Sequence, residues 1–292
     1  MTEPMPPETY RSRLTARDLE LLAQRAGETL GALVADDDLL EAALGSDAVW
    51  EALFGADPEE AIVLASPFCV FSVLLARLRG DLQNVSFVTE RFTVRQRVPV
   101  FDVAGPREWL EARHRRIFLA DLLASYTRVG GGSIWFHTAR GWRRRRYSDL
   151  DPLRLAELVE LVPPEQRPAV LRRLGDLCLF LSGVFADHVN VHPLEPRHLQ
   201  RLARLLGGAE AGGTVPEAMP SELVLAGGGG LWEMDWLGQR AYRLAARQAP
   251  WDRPLLEEVA AGFGRARRVL DALTRDHLRL SRQDWFHGPA QA

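Results

Sequence analysis

Lysine is absent from this chain of 292 residues: all 36 of its basic residues other than histidine are arginine. The absence removes chemistry. There is no amine to form a Schiff base with pyridoxal phosphate, none to reach the phosphates in a P-loop, and no strand lysine of the protein-kinase kind. Abundant Ala, Leu, Gly and Asp beside the arginines fit the codon bias of a GC-rich genome. Cysteine is scarce as well, with only Cys69 and Cys178, each inside an apolar stretch. A secreted protein of this size does not normally lean on one possible bridge, and a buried free thiol is an ordinary core residue. The expected compartment is therefore the cytoplasm.

Long hydrophobic runs are missing too. The most apolar segment, Ala61 to Leu78, is interrupted by Ser66, Pro67, Ser72 and Arg77, short of the roughly 18 uninterrupted residues a bilayer-spanning helix needs. No membrane partner is expected. Met1 to Arg13 holds three prolines and two glutamates and no apolar core. It reads as neither signal nor anchor, and residues 1–14 are expected to form a flexible lead-in.

What remains is an ordinary globular composition, 47% hydrophobic and 26% charged, enough for a sizeable core in one or two domains. The net charge of −3 hides an asymmetry. Residues 16–62 carry twelve acids against two arginines, and residues 106–148 carry ten arginines against three acids. Such opposed regions can pack on each other, pair across a dimer, or leave one face for a charged partner.

Capping signals divide the chain into helices. Thr15 is placed to cap a helix carrying Leu19, Leu22, Ala26, Leu30 and Leu33, and Asp36 to Asp38 open a second. Asp57-Pro58-Glu59-Glu60 is a further start, and Ser66-Pro67 restarts or kinks the helix that follows. From Val85 to Phe101 the β-formers Phe87, Thr89, Phe92, Val94, Val98 and Val100 suggest strand, with Pro99 at an edge. A long helix is expected from Pro106 to about Arg128. Ser133 to His137 and Trp142 to Tyr147 then form a β-hairpin around Ala139-Arg140-Gly141. Further helices are expected over about 152–161, 165–189, 196–206, 231–249 and 253–280, with a glycine-rich loop at 207–230. The fold class is mainly α, a multi-helix domain with one small antiparallel β-sheet or hairpin. Residues 15–148 and 149–285 are its two regions.

Three candidate sites stand out. Arg140, Trp142, Arg143, Arg144, Arg145, Arg146 and Tyr147, near Trp135, Phe136 and His137, would make a basic ribbon with aromatics, suited to phosphates and bases. Arginines on an exposed ribbon also commonly pair with carboxylates, and residues 16–62 supply many. His188 and His192 have the i, i+4 spacing of two metal ligands on one helical face, with His198 beyond them. Against this, Pro193 breaks the helix, and histidines at helix ends commonly meet terminal carbonyls. Asp176 lies in the apolar run Leu174 to Gly183 and is expected to be buried, either as a site carboxylate or bonded to an arginine or to backbone amides. Ser182 lacks a nucleophile-elbow context. The glycines at 227–230 lead to Trp232, but Glu233 and Asp235 would repel phosphate. Trp232, Trp236, Trp251 and Trp285 are core residues or interface anchors.

Leu174-Gly175-Asp176 with Leu179-Phe180-x-Ser182-Gly183, then Leu237-Gly238 with Ala241-Tyr242 and a terminal helix bearing Phe263 and Leu270, resemble a group of uncharacterised bacterial helical proteins. The resemblance covers about residues 165–275. It implies a bacterial helical domain and carries no activity. No motif implies a cofactor, and no catalytic constellation survives inspection. The expected function is a cytoplasmic, non-catalytic binding or regulatory protein acting through a protein partner or self-association. The alternatives are a nucleic-acid-binding regulator using hairpin 142–147, and a metal- or small-ligand-binding protein or enzyme with a site near Asp176, His188 and His192.

Overall fold

The computed structural model describes residues 9–55, 64–91, 97–101, 103–127, 131–138, 141–148, 150–208, 230–250, 252–278 and 286. The fold is mainly helical, and among the described residues no helix is long and apolar enough to cross a membrane. The chain divides into two compact units. The first comprises Met1–Glu90, Pro99–Arg128 and Arg268–Ala292, and the second Arg91–Val98 and Val129–Arg267. This division falls elsewhere than a boundary at residue 148, because the segment from 131 to 148 belongs with the second unit and the end of the chain with the first.

In the first unit the helices are α1 (Tyr10–Arg13), α2 (Ala16–Ala26), α3 (Leu30–Ala35), α4 (Asp37–Leu44), α5 (Asp47–Phe54) and α6 (Pro67–Leu82). The expected lead-in is shorter than residues 1–14: from Tyr10 the chain is helical, and the Tyr10 ring is buried against Phe68. The Thr15 cap forms a full capping box, with Asp18 accepting from the Thr15 N–H at 2.8 Å while Thr15 accepts from the Asp18 N–H. Asp18 is itself buried and accepts a third bond from the N–H of Ser66 at 2.8 Å, tying the start of α2 to that of α6. Ser66-Pro67 starts α6, the Ser66 hydroxyl accepting from Cys69 N–H. Phe68, Val70, Phe71, Val73, Leu74 and Leu75 are all buried, so α6 is apolar on several faces because it runs through the core. The expected start at Asp57 lies outside the described residues.

Strands β1 (Val88–Arg91) and β2 (Arg97–Val100) pair with each other. The single helix expected over 106–128 is two, α7 (Ala104–Glu111) and α8 (Arg113–Tyr126), separated by Ala112 in an extended conformation (ψ 122°). The physical reason is Arg116. The break frees the carbonyls that end α7, and the Arg116 guanidinium donates to those of Leu110 and Glu111.

The second unit contains β3 (Gly131–Thr138) and β4 (Gly141–Ser148), an antiparallel pair separate from the first, so the strands form two ribbons and not one sheet. Its helices are α9 (Pro152–Leu161), α10 (Arg167–Val184), α11 (Ala186–Val191), α12 (Pro196–Gly208), α13 (Gly230–Gln248) and α14 (Arg253–Ala261), and the chain continues into α15 (Phe263–Asp276). Asp151 caps α9 by accepting from Leu153 and Arg154 N–H. Three further expected helices are also divided, the one expected to carry Leu19 through Leu33 at Gly27, whose left-handed φ of 74° ends α2, 165–189 at Phe185 and 253–280 at Gly262. The break at Gly262 turns Phe263 onto α13, where its ring lies against Tyr242 with centroids 6.1 Å apart. Most of residues 207–230 lies outside the described residues.

Candidate functional site

The sequence candidates fall at separate places. In the ribbon of β3 and β4, Trp142 stands opposite His137, Arg143 opposite Phe136, Arg144 opposite Trp135, Arg145 opposite Ile134, Arg146 opposite Ser133 and Tyr147 opposite Gly132. The four arginines therefore occupy one strand and the aromatic run its partner. Arg140 lies outside the described residues.

His188 and His192 stack, with ring centroids 4.5 Å apart, and His192 Nδ1 lies 3.2 Å from the His188 carbonyl. Partial burial, with His192 alongside, lowers the His188 pKa below the ordinary imidazole value. Helix α11 closes at Val191, so His192 sits beyond the helix, and His198 lies on α12. Among the described residues, no three His, Cys, Asp or Glu side chains are grouped as a metal-ligand set.

Asp176 is half-buried and not fully enclosed. Its neighbours Leu174, Gly175, Leu177 and Cys178 turn inward, whereas Asp176 meets Tyr242, whose hydroxyl donates to Oδ1 at 2.7 Å. A tyrosine partner on α13 was invisible in the local sequence. Burial pushes both thiols, Cys69 and Cys178, well above the ordinary thiol range, which suppresses the thiolate a nucleophile needs. Ser182 is fully buried and bonded to the Leu179 carbonyl.

The residues behind the family resemblance pack helices together. A Cβ at Gly175 would lie 2.7 Å from the Tyr242 ring, and one at Gly238 would lie 2.4 Å from Phe263 and 3.0 Å from Cys178 Cβ. Glycine at these positions lets α10, α13 and Phe263 approach closely. This account needs no ligand.

Two features of the first unit were not singled out in the sequence. Phe87 and Phe101 flank the β1–β2 ribbon, with ring centroids 6.0 Å apart and exposures of 48% and 74%. Val85 beside them is 40% exposed. Both phenylalanines sit in a β-forming stretch, and only tertiary structure shows that their rings face solvent.

The other feature is a charge cluster. Glu41 on α4 accepts from three arginines. Arg79 Nη1 (3.0 Å) and Arg116 Nη2 reach its Oε1, and Arg113 Nε reaches its Oε2 at 2.7 Å. Arg113 also pairs with Asp38, and Arg79 with Glu111 at 2.7 Å. Arg79 lowers the Glu111 pKa below the usual carboxylate range, chiefly through that hydrogen bond. Arg116 is 2% exposed, and its Nε donates to the Tyr10 hydroxyl at 3.3 Å. Burial raises the Tyr10 pKa, with Arg116 opposing. The acidic run 16–62 and the basic run 106–148 thus meet inside one chain, at Asp38, Glu41, Arg113 and Arg116. Beside the cluster lies a cavity of about 410 Å³ whose other wall is Ala42, Leu44, Gly45 and Ala76. The charges were legible as runs, but no spacing rule joins Glu41 to Arg113 across 72 positions.

No protein-family model, curated protein or solved structure matches this chain.

Proposed function

We propose that the protein is a non-catalytic binding protein that acts through a protein partner, either another protein or a second copy of itself. The observation that supports this reading is the exposed pair Phe87–Phe101 beside Val85. Large apolar side chains held together in water are costly, and aromatic residues dominate the energetics of protein interfaces. Buried thiols of raised pKa and an enclosed Ser182 favour binding over nucleophilic catalysis. Two free cysteines suit a reducing compartment, and we place the protein in the cytoplasm. The resemblance of residues 165–275 to bacterial helical proteins is part of the same reading.

The test is a double variant, Phe87→Asp with Phe101→Asp. Sedimentation of the native protein is expected to show a complex, with itself or with a co-purifying protein, that the folded variant loses. A native protein that sediments as a monomer and co-purifies with nothing the variant loses would overturn the reading.

A second reading, nucleic-acid binding, draws on the pairing that places Arg143–Arg146 on one strand opposite Ser133–Phe136. Mobility shifts with DNA and RNA at two salt concentrations test it. A salt-sensitive shift that vanishes when the four arginines become alanine would support it, and no shift at low salt would dismiss it.

A further inference from the structure

The ribbon of β3 and β4 has two chemically different faces. In an antiparallel pair, residues opposite each other lie on the same face, and successive residues alternate between faces. The register therefore puts Ser133, Trp135 and His137 on one face with Arg146, Arg144 and Trp142. The other face takes Ile134 and Phe136 with Arg145 and Arg143, and Tyr147 opposite Gly132. Each face holds two of the four arginines of β4. The first adds two tryptophans and a histidine and no aliphatic residue, while the second adds an isoleucine, a phenylalanine and a tyrosine.

Charge separates this ribbon from the rest of the basic run. Residues 131–148 contain five arginines and no Asp or Glu, so the ribbon supplies none of its own counter-charge. In the acidic run, Asp38, Glu41 and Asp47 pair with Arg77, Arg79, Arg113 and Arg116 of the first unit. On each face of the ribbon, two arginines stand two residues apart on β4, about 7 Å along the strand. Like charges at that spacing repel, and they suit a ligand that presents anions at a similar repeat. The phosphates of an extended nucleic-acid strand do so.

The composition of the two faces distinguishes a duplex from a single strand. A duplex offers phosphates but keeps its base faces stacked inside, whereas the bases of a single strand are free to stack on aromatic rings. Arg144 and Arg146 share their face with Trp135 and Trp142, the residue type with the largest stacking surface. Ile134 and Phe136 make the other face the one suited to packing against protein, since an antiparallel ribbon commonly buries one face and leaves the other to solvent. We propose that the face carrying Trp135, Trp142, Arg144 and Arg146 binds single-stranded nucleic acid, bases stacking on the two indoles and phosphates meeting the two guanidiniums. This inference rests on the nucleic-acid reading above and narrows it to one strand form and one face.

Fluorescence anisotropy of the full chain tests it over a range of salt, with labelled oligothymidylate of about 20 nucleotides, alone or in a duplex with oligoadenylate. The single strand is expected to bind about tenfold tighter than the duplex. Trp135→Ala should weaken single-strand binding by about tenfold. Two charge-matched variants then separate the faces. Arg144→Ala with Arg146→Ala should lower the slope of log affinity against log salt by about 1.4, whereas Arg143→Ala with Arg145→Ala should leave it near the native value. Trp142→Ala and the native preference between strand forms keep the test open if a paired variant does not fold. Absence of binding to either form overturns the nucleic-acid reading and this inference together. Duplex binding as tight as single-strand binding overturns this inference alone. So do equal effects of the two arginine pairs, or native-like binding in the folded tryptophan variants.

Discussion

In the first unit, α1, α4, α6, α7 and α8 send side chains to one carboxylate, Glu41, or to the arginines that surround it. In the second, α10 and α13 approach through positions that have no side chain, Gly175 under Tyr242 and Gly238 under Phe263. Each is a way of bringing helices together, but the two fail differently. A charge cluster is intolerant of losing the partner of its buried member, because the charge of Arg116 would stay where water cannot reach it. A glycine contact is intolerant of gaining an atom, because the close-packed wall opposite has nowhere to move.

The comparison predicts its own extremes. Glu41→Ala should have the largest effect, about 4 kcal/mol, since it strands Arg116 in the interior with two further arginines beside it. Chemical denaturation would measure this. Replacing Arg116 with methionine in the same chain should recover part of the loss, which a simple cavity at Glu41 would not permit. Gly238→Ala should cost about 2–3 kcal/mol, and Phe263→Leu in that background should return some of it by relieving the contact at 2.4 Å. If Gly238→Ala is neutral, the second unit is not held by close approach and the contrast collapses.

Smaller effects sharpen the contrast within the second unit. Tyr242→Phe keeps the ring against Gly175 but removes the donor to Asp176, and should cost about 1 kcal/mol. Gly175→Ala should cost more than Tyr242→Phe, because the ring's position outweighs its hydroxyl. The smallest expected effect is at Glu233, where partial burial raises the pKa against the hydrogen bond from the Leu194 N–H. A raised carboxyl pKa means that its contribution is complete below the unfolded value and is lost as pH rises through the folded one. Glu233→Gln should therefore raise the melting temperature slightly at neutral pH, with the gain fading as the pH falls below the ordinary glutamate range.

Local signals in the sequence were dependable where one turn of chain decides the outcome. Thr15 caps the helix it was expected to cap, and of the restart or kink expected at Ser66-Pro67 the restart is what forms, because each side chain acts on an N–H group three residues away. The helix breaks were not legible. Alanine is the best helix former, so nothing near Ala112 announces that α7 stops there. The cause is an arginine four residues on whose donors find better use on the freed carbonyls and on Glu41. Gly262 carried a local hint, but the demand that Phe263 meet α13 is tertiary. At the candidate site, the opposed charge runs were visible while their meeting point was not. Asp176 stood out for its apolar neighbours, yet a helix places adjacent residues about 100° apart, and burial of positions 174, 175, 177 and 178 does not bury 176.

The extended residue at Ala112 has a consequence for how the chain tolerates change in length. Short connections between helices generally accept an added or lost residue with modest penalty. Here the connection is one residue long, and Arg116 on its far side must serve α7 and α4 together. Adding or deleting a residue within the first turn of α8, ahead of Arg116, would rotate that side chain by about 100° and shift it by about 1.5 Å along the helix. Its guanidinium would then miss Glu41 and the Leu110 carbonyl in one step. Insertions at this joint should be purged where substitutions of Ala112 itself are accepted.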